Sequence, residues 1–329
     1  MKHSISTFHK QGIVLAALML LLGATGCDAL NDNDSELTSN LNEEDLEAAS
    51  AILAESLSDE NEGLMADLND LTADVDGQQL IYSRRQFAQN PLDRPCRGEN
   101  RAYEVSYDEI TGTHSISYSR SNDTPLCTKS VEVNLNYIFT DADGNFIAEP
   151  RVNKSSIADI AFEGSRVGSG TYQSRRGIMR STSFEQAGEW NLSGLNTDIA
   201  SLSGNQVNDG SYALTKADST GAEVSKTGEF HIEFNTVDVT ISRTQAEMSD
   251  LETEITGTIQ YTMSMTTTRN GETLSKEAEG TVELEGNGRA LLRFLGLNKV
   301  YRVSLRDGEV TDTEDEATEG SDDDSENNG

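Results

Sequence analysis

The sequence predicts a mainly β protein: an antiparallel meander of about 10–13 strands, shaped as a sandwich or as a partly open or closed barrel. A short helical segment precedes it, and a disordered acidic tail follows. Three observations predict this fold. Apolar and polar residues alternate in run after run, the period of a sheet with one packed and one wet face. Turn signals such as Thr111-Gly112, Asp143-Gly144-Asn145, Asn270-Gly271, Gly286-Asn287-Gly288 and Asp307-Gly308 sit between or after those runs. The runs are too close together for crossover helices, so neighbouring strands must be antiparallel.

The organisation follows in chain order. Residues 1–26 read as a leader and 27–41 as a polar tether. Residues 42–80 read as an acidic helical segment, 81–306 as the β domain and 307–329 as the tail. In the helical segment, Asn42 is a preferred N-cap, and Glu43, Glu44 and Asp45 complement the dipole of a first turn. Leu46, Ala49, Ile52, Leu53 and Leu57 then form one apolar stripe. A second short helix is expected from Gly63 to Leu71, with Leu64, Leu68 and Leu71 on one face. These stripes are expected to pack on the β domain, the alternative being a helix that docks a partner or a lipid surface.

Among the strands, Tyr103, Val105 and Tyr107 alternate with polar residues, as do Ile116 and Tyr118. Val131, Val133, Leu135, Tyr137 and Phe139 form the cleanest run. Phe230, Ile232 and Phe234 are followed in the opposite phase by Val237, Val239 and Ile241. A bulge or turn is therefore expected at Asn235-Thr236, because a slip of one residue inverts the faces. Ile259, Tyr261, Met263 and Met265 form another strand, and Tyr301, Val303 and Leu305 a last one. The tail from Thr311 has no apolar side chain beyond Ala317 and cannot offset the entropy of ordering.

Charge separates these regions. Residues 28–80 hold sixteen Asp/Glu and no Lys or Arg, and residues 307–329 hold eleven and none. The middle is close to balance. A net charge of −32 argues against nucleic acid and anionic membrane surfaces as partners. It suits a solvated exported protein, or alternatively acidic arms that bind cations or a basic partner.

The leader explains the export. Lys2, His3 and Lys10 precede an apolar run from Ile13 to Leu22, too short to span a bilayer comfortably, and small residues then lead to Cys27. Ala24-Thr25-Gly26-Cys27 resembles the lipobox of bacterial lipoproteins, with Ala24 where the family usually has Leu. The resemblance covers 27 residues. It implies that Cys27 is acylated and becomes the first residue of the mature chain, a two-chain anchor that holds stably at a membrane. It also implies an exported, lipid-anchored location, with the outer membrane favoured over the inner.

The candidate sites are few. Cys96 and Cys127 flank the hairpin turned at Thr111-Gly112, and a disulfide between them would contribute roughly 3–4 kcal/mol. Arg84, Arg85, Arg94, Arg97 and Arg101 form one basic group and Arg175, Arg176 and Arg180 another. Either could hold an anion, or the arginines could pair with the acidic helix of the same chain. Asp141-Ala142-Asp143-Gly144-Asn145 resembles the start of a calcium loop, but Phe146 and Asn153 stand where such a loop wants Gly and an acidic ligand, so a turn is expected. His114 and His231 are the only mature histidines and read as strand residues, so no metal or other cofactor is expected. Catalytic residues are not expected either: no Gly-x-Ser-x-Gly elbow appears, and a single Trp190 argues against a sugar-stacking cleft.

The sequence thus predicts a lipid-anchored, non-enzymatic envelope protein, a binding or structural module with a lipid, glycan or envelope protein as partner. The alternative is a carrier or sensor of an amphiphile, similar in outline to the half-barrel lipoprotein carriers of Gram-negative envelopes, with Tyr103, Tyr261, Met263 and Met265 lining its cavity. An envelope hydrolase is the least favoured reading.

Overall fold

The computed structural model describes residues 41–73, 99–124, 127–150, 152–173, 179–217, 223–242, 255–269 and 272–312. Within them, thirteen antiparallel strands form a single sheet, and two helices pack on it. From β1 (Glu99–Asp108) through β2 (Thr113–Thr124), β3 (Cys127–Thr140), β4 (Asp159–Gln173), β5 (Met179–Ser193), β6 (Ile199–Ala217) and β7 (Glu223–Thr236), each strand pairs with the next. The order continues through β9 (Ile255–Arg269), β10 (Glu272–Glu285), β11 (Arg289–Phe294), β12 (Val300–Ser304) and β13 (Val310–Asp312). The short β8 (Val239–Ser242) lies beyond the end of β7 and pairs with β6 and β9.

The break between β7 and β8 falls where the hydrophobic phase inverts. The Thr236 hydroxyl accepts from the Gly204 N–H at 2.8 Å and donates to the Gly204 carbonyl at 3.1 Å, holding the offset in place. The inversion lets Phe234 and Val239 both be buried although they lie five positions apart, an odd offset that would put them on opposite faces of a regular strand. Asp141 also behaves as a turn residue. The Asn145 side-chain amide donates to its Oδ2 at 3.0 Å, and the N–H groups of Asn145 and Asp143 donate to its Oδ1 at 2.8 and 2.9 Å; these bonds, the side-chain amide first, hold its carboxyl below the usual carboxylate range.

The helices are α1 (Glu43–Leu57) and α2 (Leu64–Ala73). Asn42 caps α1 as expected: its Oδ1 accepts from the Asp45 N–H at 2.9 Å, and the Asp45 carboxylate accepts from the Asn42 N–H at 3.4 Å. Leu53, Leu57, Leu64 and Leu68 are buried in one continuous cluster with Val131 to Phe139 of β3, Phe234, Ile259, Tyr261, Leu292 and Val303. The helical segment carries no base of its own, and its acids reach bases on strands far apart in the sheet. Asp45 pairs with Lys276 of β10 at 3.3 Å, Glu43 pairs with Lys299 just before β12 at 3.4 Å, and Glu55 pairs with Arg180 of β5. The sheet therefore curves around the helical hairpin, and the hairpin fills the trough.

The structure corrects one boundary and the packing of one strand. The sheet continues past Arg306, because Val310 packs on the core and β13 pairs with β12, so residues 307–312 do not belong to a tail. At the other edge, Val105 of β1 is 57% exposed, and the Tyr103-Val105-Tyr107 run does not make a fully packed face. As an edge strand, β1 has a neighbour on one side only.

A buried ion network and an open cleft

The turn between the helices inserts an acid into the trough. The Ser58 carbonyl accepts from the Gly63 N–H at 2.8 Å and closes the turn, and Glu62 adopts φ +64°, rare for a residue with a side chain. The same turn is fastened to the far edge of the sheet. The Asp59 and Glu60 N–H groups donate to the carbonyls of Leu305 and Arg306 at 3.0 and 2.8 Å, and the Asn61 amide donates to the Asp307 carbonyl at 3.0 Å.

Glu62, 3% exposed, receives cations from three successive strands. Arg120 of β2 pairs with its Oε2, Lys129 of β3 with its Oε1 at 3.2 Å, and Arg166 of β4 with Oε2 at 3.3 Å. One helical turn further on, Asp67 of α2 accepts from Arg166 Nε at 2.7 Å and from the Gln186 amide of β5 at 2.9 Å. Arg166 and Asp67 are both fully buried. Such a pair holds only when its remaining polar atoms are also bonded, as the two-acid, one-guanidinium arrangement achieves here. Gly164 makes the approach possible: a Cβ there would stand 3.2 Å from Asp67 Oδ1 and 2.8 Å from the Phe162 ring.

Strand register places these groups in rows across the inward face. Val133, Arg166, Gln186, Asn208, Ile232 and Met263 are consecutive partners from β3 to β9. The next row toward the rim runs Val131, Gly168, Phe184, Gly210, Phe230 and Met265. Its glycines give the rings room to lie flat. A Cβ on Gly168 would stand 2.5 Å from Phe184, and one on Gly210 would stand 2.2 Å from Phe230. In the row beyond, Tyr212 covers Gly228 in the same way.

Above these rings an open cleft of about 490 Å³ remains between the sheet and α1. Ile52, Glu55 and Ser56 line it from the helix. The sheet side is built from Phe184, Tyr212 and Phe230, from Gln186 and Asn208 at its base, and from Thr182, which shares the inward row of Tyr212. Burial pushes the Glu55 carboxyl up, and the Arg180 guanidinium beside it acts in the opposite direction.

Several sequence expectations find their places here. Arg180 pairs with the acidic helix of its own chain, while Arg84, Arg85, Arg94, Arg97, Arg175 and Arg176 lie outside the described residues. Arg101 lies in β1. Tyr261, Met263 and Met265 are core side chains rather than the walls of the cleft: each is at most 3% exposed, and the Tyr261 hydroxyl donates to the Arg293 carbonyl at 3.1 Å. Tyr103 stands opposite Tyr118 in the β1–β2 register. Cys127 opens β3 opposite Thr124, so it is not on the second arm of the Thr111-Gly112 hairpin, and Cys96 lies outside the described residues. His114 bonds the Ile147 carbonyl at 3.0 Å, and burial lowers its pKa. His231 sits on the outer face between Asp209 and Glu233 at 2.7 and 3.3 Å, and its bond to Asp209 raises its pKa.

Arg120, Arg166, Gln186 and Asn208 were not anticipated from the sequence. Their signal is phase: Arg120 continues the Ile116-Tyr118 alternation, and Arg166 continues that of Ile160 and Phe162, so each stands where an inward apolar residue is expected.

The fold and site define an antiparallel β trough filled by an acidic helical hairpin. No family profile matches the chain, and no curated protein or solved structure matches it.

Proposed function

We propose that this chain is a lipid-anchored, non-enzymatic binding module of a bacterial cell envelope, held at the membrane through Cys27. The observation that carries the binding reading is the cleft beneath α1. It lies within the size range of small-molecule sites, about 300–1,000 Å³, on a sheet whose remaining interior is filled by the helices. The filled interior disfavours a carrier that swallows an amphiphile, because Tyr261, Met263 and Met265, which would line its cavity, are packed in the core. The cations of the cleft are engaged by carboxylates: Arg180 by Glu55, and Lys129 by Glu62. That arrangement supports binding over hydrolysis, which needs a carboxylate or nucleophile directed at a substrate. The anchoring reading rests on the leader and on Ala24-Thr25-Gly26-Cys27. A Cys96–Cys127 disulfide belongs to the same proposal, since an exported compartment permits it.

The test is metabolic labelling with radioactive palmitate in a Gram-negative host. The full chain is expected to take up label and to sediment with membranes, and Cys27→Ala is expected to lose both properties. Equal labelling of the two proteins, or an unlabelled parent chain, would overturn the anchoring.

A further inference from the structure

We propose that the cleft beneath α1 binds an uncharged saccharide, the bound molecule lying on Phe184 and Phe230. The inference rests on the binding reading above and names its ligand class.

Two buried acceptors call for hydroxyl donors. Gln186 is 1% exposed and Asn208 4%. The Gln186 amide nitrogen is spent on Asp67, and the Gln186 and Asn208 side chains both border the cleft. Neither Gln186 Oε1 nor Asn208 Oδ1 has a hydrogen-bond partner among the described residues. A buried acceptor left unpaired costs about 1–3 kcal/mol, so a ligand that donates to both recovers that cost on binding. A sugar ring carries such donors on one edge and an apolar C–H face beside them.

The aromatic row supplies the complement to that face, with phenylalanines in place of the tryptophan whose scarcity argued against a sugar-stacking cleft. Phe184 and Phe230 are half-buried, and glycines at 168 and 210 let both rings lie against the strands instead of standing off them. The result is a flat apolar floor flanked by hydroxyls and amides, the mixed lining that fixes the orientation of a small ligand. The cations of the cleft argue for an uncharged ligand. Arg180 is held by Glu55, and Lys129 by Glu62 and the Glu60 carbonyl, so an anionic headgroup would have to displace a carboxylate. The rim also carries Asp307, which repels an anion.

The experiment uses the full chain, solubilised in a polyoxyethylene detergent that contains no sugar. It is screened on an array of neutral mono-, di- and trisaccharides, and saturation-transfer NMR follows on the sugars retained. At least one sugar is expected to bind and to receive saturation on its ring C–H protons. Phe184→Leu and Asn208→Leu, each checked for an unchanged melting temperature, are each expected to weaken that binding about tenfold. No retained sugar, or equal binding by parent and both variants, overturns the proposal. Saturation of lysophosphatidylcholine in place of any sugar also overturns it and assigns the cleft to an amphiphile. The palmitate experiment is independent of this result, so a failure of anchoring and a failure of saccharide binding are read separately.

Discussion

Replacing Arg166 by Met is expected to destabilise the protein by about 3–5 kcal/mol, the loss typical of removing one partner from a buried ion pair. The substitution keeps an unbranched apolar stem at the site and removes only the guanidinium. What remains is Asp67, fully buried and deprived of its guanidinium, and a Glu62 carboxylate with one cation fewer. The cost comes from the stranded charge and not from lost packing. The double variant Arg166→Met, Asp67→Asn is therefore expected to recover roughly half of the loss, a coupling that independent sites would not show. Urea unfolding followed by circular dichroism measures both. A single-variant loss near zero would mean that water already solvates these charges.

The second large effect is expected at Gly257, where Ala should cost about 3–5 kcal/mol. Gly257 has φ +131°, a conformation that L side chains avoid, and a Cβ there would stand 1.9 Å from the Asp238 carbonyl oxygen. That carbonyl belongs to the short link between β7 and β8, so the methyl group collides with the element that inverts the hydrophobic phase. Gly144→Ala provides the internal control. Gly144 also has positive φ, +80°, but nothing lies within 4 Å of its Cβ position, so its cost is expected to stay near 1–2 kcal/mol, from the backbone alone. Thermal melting of the two variants separates collision from backbone strain, and equal losses would remove the tight approach at β8 from the account.

The sheet was legible where one face is apolar. Val131 to Phe139 alternates without interruption and is buried at every second position, and the phase change after Phe234 located the break before β8. The cap at Asn42 was legible for the same local reason, since its partner Asp45 is three residues away. Strands β4, β5 and β6 were hidden. Their inward positions hold Gly164, Arg166 and Gly168, then Gln186 and Gly188, then Gln206, Asn208 and Gly210. The apolar alternation fades where the sheet meets the helical turn and the cleft, because those positions serve buried charge and ring packing instead of hydrophobic contact. A loss of pattern in an otherwise regular sheet thus marks the candidate site. The charge partition was legible as well, but not its partners. A segment with sixteen acids and no bases must find cations elsewhere, and the sequence pointed to the clustered arginines near residues 84–101 and 175–180. The structure pairs the buried acids with Arg120 and Arg166, which no local cluster announces. Of the expected set, Arg180 meets the helix.

The central claim is that the acidic helical hairpin is an integral part of the β trough, fastened by Glu62 and Asp67, and native-state hydrogen exchange of the full chain measures this most directly. The buried amides of α1 and α2 are predicted to exchange only through global unfolding, with the same free energy and the same denaturant dependence as those at the centres of β3 and β4. Helix amides that open at a much lower free energy while the sheet stays protected would contradict it, and would make the hairpin a detachable cover.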